Sequence, residues 1–246
     1  MTLSGKTAVV TGAAGTIGSA ISKALVELGV HVVAIDLAGE SADTSNPSAE
    51  HPMTWVHLDL TDADAVATAT KALIKRFGAI DILVNNAGVL SNKKIRDTTL
   101  EEWHRVNAIN IDAAFLLIRS FLPGMRAQKW GRIINISSYA AKCGGLTAGT
   151  AYTVSKSALI GLTFATARET TFEGITANAI APAYVMSPMV TEQLTAEQRK
   201  HQLAQIPVGR FCDPEEVAHA VTFLASPLAG FITGEVIDMN GGLQFD

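Results

Sequence analysis

An α/β, doubly wound fold with a seven-stranded, mostly parallel sheet and helices on both faces is predicted by three features of the sequence. Short β-branched apolar runs alternate with longer segments of helical period along the chain. Those runs are apolar at nearly every position, the pattern of strands covered on both faces. The first run passes into a helix through a glycine-rich turn, "TGAAGTIG" at 11–18.

Taken in order, "KTAVVT" leads to a helix over 16–28, "HVVAID" to a loop, and "TWVHL" to a helix over 62–77. "IDILVN" precedes a long helix over 99–127, "RIINIS" one over 150–173, and "ITANAIA" an excursion followed by a helix over 213–225; "EVIDMN" closes the series. The polar stretch 38–52, "AGESADTSNPSAEHP", reads as a surface loop. Residues 183–212 interrupt the alternation, and Met186, Met189 and Leu194 among polar neighbours fit either a lid over a pocket or plain packing. No repeat, low-complexity tract or Pro/Ser linker divides the chain, so 1–246 reads as a single domain.

A 246-residue chain with 48% hydrophobic residues has ample material for a core. Its net charge of −4 and pI near 5.9 leave no positive field for a phosphate backbone, so nucleic acid is not an expected partner. Two distant cysteines, Cys143 and Cys212, fit a reducing cytoplasm. No run reaches roughly 18 consecutive apolar residues, so no membrane association is expected, and six scattered histidines make no metal-binding pattern. The expected partner is a small molecule.

The glycine turn lets backbone N–H groups approach a pyrophosphate that the helix N-terminus also attracts, with Gly12, Gly15, Thr16, Ile17 and Gly18 as its residues. Asp36 ends the second strand about twenty residues on, where a carboxylate accepts hydrogen bonds from both ribose hydroxyls of an adenosine. The same carboxylate repels a 2′-phosphate, and neither Gly15 nor Leu37 supplies a cation to hold one, so NAD is expected over NADP. Asp59 and Leu60 after the third strand, and "NNAG" (85–88) after the fourth, fall at the same carboxyl edge.

At the other end of the site, the fifth strand ends in Ser137 and Ser138, and Tyr152 comes later in the chain with Lys156 at i+4. On a helix those two side chains share a face, and a nearby cation favours phenolate. Tyr152 then serves as proton acceptor or donor near neutral pH, with Ser138 bonding the substrate oxygen.

In this order and spacing the motifs closely resemble the classical short-chain dehydrogenase/reductase family, a Rossmann-fold family, across essentially the whole chain. The matching residues are "TGAAGTIG", Asp36, "NNAG", Asn110 in "WHRVNAINIDAAF", the serine of "NISS", "YTVSK", "APAYVMS" and "FITGEVIDMNGG". The resemblance implies a catalytic tetrad of Asn110, Ser138, Tyr152 and Lys156, with Lys156 also bonding the nicotinamide ribose and Asn110 holding a relay water. It further implies adenine contacts from Asp59 and Leu60, ribose contacts from Asn86, Ala87 and Gly88, and carboxamide contacts around Pro182, Val185 and Ser187. Members of the family are typically homotetramers that pair the helices corresponding to 99–127 and 150–173.

Three departures stand out. Thr16 occupies the family's middle glycine position, where its hydroxyl is a candidate helix cap. Ala183 replaces a glycine after Pro182. The interval from Ser138 to Tyr152 is about a residue longer than usual, which leaves Ser137 open as an alternative serine.

The expected reaction is reversible oxidation of a secondary alcohol to a ketone, with hydride passing to NAD and Tyr152 as acid/base. Lys93, Lys94 and Arg96 after "NNAG" either face the pocket and favour a small hydroxylated acid, such as a sugar acid or hydroxy acid, or lie on a solvated loop. A polyol is a further expected substrate; Ala140, Cys143, Gly144 and Gly145 leave room beside Tyr152, with Tyr184 and Met189 as one wall. A 3-oxoacyl-thioester reductase is the alternative; such enzymes commonly prefer NADP, against which Asp36 counts. A dinucleotide-binding sensor without turnover is the alternative of another class, and the intact tetrad argues against it.

Overall fold

The structure, a computed structural model, describes residues 3–38, 52–187 and 195–245. Its strands are β1 (Thr7–Thr11), β2 (His31–Asp36), β3 (Met53–His57), β4 (Ile82–Asn85), β5 (Gly131–Ile136), β6 (Ile175–Pro182) and β7 (Val236–Met239). They form one sheet in the order β3-β2-β1-β4-β5-β6-β7, parallel at every pairing. All seven expected strands are present. The order reverses between β1 and β4, so the crevice outside their carboxyl ends is the place where a ligand binds in such a sheet.

The helices are α1 (Thr16–Glu27), α2 (Ala63–Phe77), α3 (Leu100–Asn107), α4 (Ala113–Gln128), α5 (Ala140–Cys143), α6 (Thr150–Thr170), α7 (Ala196–Leu203) and α8 (Pro214–Ala225). Local chemistry sets several starts: the Asp62 carboxylate accepts from the Asp64 and Ala65 N–H groups at α2, and Thr99 accepts from Glu102 N–H at α3. Asp213 and Glu216 form a reciprocal capping box at α8.

Strand alternation divides the core into two layers. Val10, Val32, Val84 and Ile134 face Ile21 and Leu25 of α1 and Val217 and Val221 of α8. Val9, Val33, Leu83 and Ile133 face Leu73 of α2 and Leu117, Phe121 and Met125 of α4. By length and hydropathy the stretch Leu100–Gln128 also meets the requirement for crossing a membrane. Its buried residues pack on the sheet instead.

One expectation changes here. The helix predicted over 99–127 is interrupted by a π-helical turn, Ala108–Asp112, between α3 and α4. A π turn inserts one residue into the helical repeat and rotates the next helical segment about the axis. Asn110 sits inside it, 2% exposed. The excursion at 183–212 is tied at its ends: Val185 bridges Cys212, Met186 N–H donates to Cys212 O at 2.8 Å, and Cys212 N–H donates to Tyr184 O at 2.9 Å. Met189 and Leu194, and most of the predicted 38–52 loop, lie outside the described residues.

Candidate active site

β1 ends in Thr11, and Gly12 comes next with φ +63°, a backbone state that glycine enters without penalty. The turn is packed too closely for side chains. A Cβ on Gly12 would come within 2.9 Å of Ala87 Cα, and one on Gly18 within 2.1 Å of Gly12 O. Gly15 is the N-cap of α1 in extended conformation, with no side-chain cap and no acidic residue in the first turn. The first N–H groups of α1 therefore stay open beside the positive end of the helix dipole, which suits a pyrophosphate. The hydroxyl cap expected from Thr16 is not made: Thr16 is the first helical residue, one past the position from which a side chain caps.

Two loops are stitched into one cradle. Thr11 Oγ1 accepts from the N–H groups of Asn86 and Ala87, both at 3.0 Å, and Asn86 Nδ2 donates to Thr11 O at 2.9 Å and Gly12 O at 3.1 Å. Thr11 is not among the predicted site residues; a threonine ending a strand immediately before the glycine turn is the signal for it. Asp36 accepts from Ala14 N–H at 2.9 Å and Ala38 N–H at 3.0 Å, so its carboxylate lies against the glycine turn. Asp59 accepts from the Thr61 hydroxyl and N–H at 2.7 and 2.8 Å, which holds its carboxyl below the usual range, and Leu60 beside it is buried. These residues fit a dinucleotide: an open helix N-terminus, a space a Cβ would fill, and a carboxylate at the ribose end.

The two adjacent serines have separate places. Ser137 is buried and donates to the backbone carbonyl of Lys156 at 2.8 Å. Ser138 hydrogen-bonds the Tyr152 phenol, and its Oγ also accepts from Ala140 N–H at 3.1 Å. Ser138 is the serine that reaches the phenol.

Lys156 is 4% exposed; its Nζ donates to Ile136 O at 2.7 Å and lies 5.8 Å from the Tyr152 ring centroid. Gly88 leaves it room, since a Cβ there would stand 3.1 Å from Nζ. Burial lowers the lysine pKa to about 8. Burial also raises that of Tyr152, and the bond from Ser138 acts in the opposite direction. Acidification of Tyr152 by Lys156 is thus not obtained from the protein groups: desolvation of the phenol outweighs the one opposing influence, the bond from Ser138. Asn110 Oδ1 accepts from Val89 N–H at 2.8 Å while Nδ2 donates to Val89 O and Ser155 Oγ at 3.1 and 2.9 Å. Ser155 is not a predicted site residue, and only the π turn brings it to Asn110.

A model of the enoyl-(acyl carrier protein) reductase family matches residues 12–244. The 3-oxoacyl-(acyl-carrier-protein) reductase of Vibrio cholerae is 39% identical over 244 residues, 99% of each chain, and that of Thermotoga maritima is 36% identical over 246 residues, again 99% of each. The ligand-free aldohexose dehydrogenase of Thermoplasma acidophilum superposes with a TM-score of 0.87 at 31% identity, covering 98% of this chain and 94% of that one. This chain is a short-chain dehydrogenase/reductase. It is an oxidoreductase of the alcohol–ketone couple built on a nicotinamide dinucleotide fold.

In this dehydrogenase/reductase one cavity of about 1120 Å³ runs from Ile17, Asn86 and Gly88 past Ser138, Tyr152 and Lys156. Pro182, Val185 and Ser187 line it beside the tetrad; Pro182 O accepts from Tyr139 N–H at 2.9 Å and Ala183 N–H donates to Met239 O at 3.0 Å. Tyr184 lines it too, its ring edge-on to Phe211 at 6.3 Å.

Lys93 and Lys94 do not reach it. Lys93 Nζ pairs with Glu102 at 2.5 Å, and Lys94 Nζ donates to the carbonyls of Gly145, Leu146 and Ala148 at 2.7, 3.3 and 2.6 Å. Lys93 is paired with α3 and Lys94 with the segment between α5 and α6, so the structure places both in a structural role rather than the expected acid-binding one. The far wall instead comes from Glu197, His201, Gln202 and Gln205 of α7 and the turn after it. The one-turn spacing of Glu197 and His201 is visible in the sequence, but nothing there places the helix over the cavity.

Proposed function

We propose that this enzyme interconverts a 3-oxoacyl thioester and the 3-hydroxyacyl thioester, using NAD(H). The observation that carries the reading is the cavity itself: Leu90, Leu146 and Ala148 line it together with Ser138 and Tyr152, with Lys93 and Lys94 turned away. An apolar stretch of this kind suits an acyl chain, and with Lys93 and Lys94 turned away it brings no loop cation to a sugar acid. Full-length similarity to two 3-oxoacyl reductases supports the same substrate class.

In this reading the bound nicotinamide supplies or accepts the hydride. Tyr152 Oη gives its proton to the 3-oxo oxygen during reduction and takes it back during oxidation. Ser138 Oγ holds that oxygen and disperses the charge that develops on it. Lys156 and Asn110 keep the tyrosine and the nicotinamide ribose in register, Lys156 from its buried anchor on Ile136 O. Asp36 accepts the adenosine ribose hydroxyls and disfavours a 2′-phosphate.

Exposed Phe115 on α4 and Phe164 and Val154 on α6 lie on the helices that the family pairs, which supports a homotetramer; sedimentation of a stable, active monomer would exclude it. The test of function monitors NADH and NADPH absorbance with a 3-oxobutanoyl thioester, an aldohexose and a polyol. Reduction of the thioester with NADH at least about tenfold faster than with NADPH is expected. Oxidation of aldohexose alone would make the sugar the substrate, and binding of NADH without any turnover would leave a sensor.

A further inference from the structure

Helix α6 carries Tyr152 as its third residue, and its N-terminus has no side-chain cap. Two of its open N–H groups end on another loop: Gly149 donates to Ser91 O at 2.6 Å and Thr150 to Lys93 O at 3.0 Å. The fit is close, because a Cβ on Gly149 would stand 2.4 Å from Lys93 O. Segment 91–93 therefore sets where the helix begins, and Glu102 on α3 holds that segment. Its carboxylate accepts from Ser91 Oγ and pairs with Lys93 Nζ, both at 2.5 Å, while the same hydroxyl, on a residue 5% exposed, accepts from Lys93 N–H at 3.4 Å. Thr99 and Glu102 have the spacing of a capping box, and Thr99 accepts from Glu102 N–H at 3.2 Å. The glutamate side chain is nevertheless directed to Ser91 and Lys93 rather than back to Thr99 N–H, the partner this pattern normally supplies.

The geometry points to Glu102 as a positioning residue for Tyr152: through segment 91–93 it fixes the first turn of α6, and with it the place of the phenol beside Ser138. The inference rests on Tyr152 as the acid/base residue and not on the choice of substrate. Proton transfer depends steeply on the separation of the phenol from the reacting oxygen, so a small shift of the helix start is felt in turnover before it is felt in folding. Within the network the bond to Ser91 matters most, since it is buried, whereas the Lys93 side chain is 54% exposed and an exposed ion pair contributes little. Lys93 and Ser91 together hold the Glu102 carboxyl below its usual range, so the acceptor stays ionised as the medium turns acid.

The experiment measures kcat, KM and Tm for Glu102→Ala, Glu102→Gln, Ser91→Ala, Lys93→Met and the double variant Ser91→Ala/Glu102→Ala. The substrate is whichever of the 3-oxobutanoyl thioester, the aldohexose and the polyol the wild type turns over. Glu102→Ala and Ser91→Ala are expected to lower kcat about tenfold to a hundredfold, with KM for the nicotinamide cofactor changed less than about twofold. The double variant should be no slower than Glu102→Ala, because both substitutions remove the same bond. Glu102→Gln, which keeps an acceptor for Ser91, and Lys93→Met, which removes only the exposed charge, should stay within about twofold of the wild-type kcat. A lower Tm with unchanged kcat in Glu102→Ala would make the glutamate a brace of the loop alone and overturn the inference. Single losses that multiply in the double variant, or a Glu102→Gln as slow as Glu102→Ala, would overturn it as well. If Glu102→Ala does not fold, Ser91→Ala against Glu102→Gln gives the same decision. Wild-type turnover in Tyr152→Phe, or no turnover of any of the three substrates by the wild type, would instead defeat the acid/base reading, and the inference with it.

Discussion

Lys156 Nζ donates to the backbone carbonyl of Ile136, the last residue of β5, at 2.7 Å. This bond seats an ammonium inside the protein at the end of the sheet, directly beneath the cavity that holds Tyr152. It also gives the site a measurable pH dependence.

Lowering the lysine pKa from 10.5 to about 8 corresponds to a burial cost of about 3 kcal/mol. Below pH 8 the lysine is charged in both folded and unfolded chains, and the cost is present in full. Between 8 and 10.5 the folded lysine loses its proton first, so the unfolded chain binds more protons and stability rises with pH. Lys156→Met is therefore expected to melt higher than the wild type near neutral pH in the absence of cofactor, with the gap closing as pH approaches 10.5. A gap that stays constant across that range would mean that the buried lysine keeps its proton and that burial does not lower its pKa.

The neighbouring serines give opposite phenotypes. Ser138→Ala removes the hydroxyl bonded to Tyr152 and is expected to cut kcat by about 10²–10³-fold with little change in Tm. It also raises the tyrosine pKa further, readable as a shift of the pH–rate profile to higher pH. Ser137→Ala breaks a buried bond to Lys156 O and should cost about 1 kcal/mol of stability, with a smaller effect on turnover. Reversed phenotypes would exchange the roles.

Cofactor choice is expected to depend on Asp36. Asp36→Ala combined with Leu37→Arg, the second at a 58% exposed position, should raise the NADP to NAD ratio of kcat/KM at least about tenfold. Steady-state kinetics with both cofactors measure it, and an unchanged ratio would assign ribose reading to another residue.

Lys94 is expected to act on the loop it ties together. Lys94→Met should lower Tm through loss of its three carbonyl contacts, about 1 kcal/mol, while KM for neutral and anionic substrates changes in parallel. A selective rise in KM for anions would restore the charge-recognition role.

The glycine turn should tolerate no side chain at its inner position. Gly18→Ala places a Cβ 2.1 Å from Gly12 O, and is expected to abolish NADH binding, measured by fluorescence titration, before it abolishes folding.

The sequence by itself determined the elements and the chemistry-bearing residues. The strands are legible because a parallel strand covered on both faces must be apolar at nearly every position, and Val9 to Val10 or Ile133 to Ile134 obey that rule. Gly12, Asp36, Tyr152 and Lys156 are legible because each lies within a few residues of the strand end or helical turn that positions it. Tertiary structure decided the matters that depend on distant groups. Asn110 reaches Val89 and Ser155 only through a π turn that no periodicity announces. Lys93 and Lys94 have the look of pocket cations in the chain, yet Glu102 and the carbonyls of Gly145 to Ala148 take up their charge. Gln202 resembles any polar helix residue, and only packing sets its helix over the cavity. Local propensity and short spacings are written along the chain, whereas burial and the pairing of charges are properties of the packed molecule, set by residues far apart in sequence.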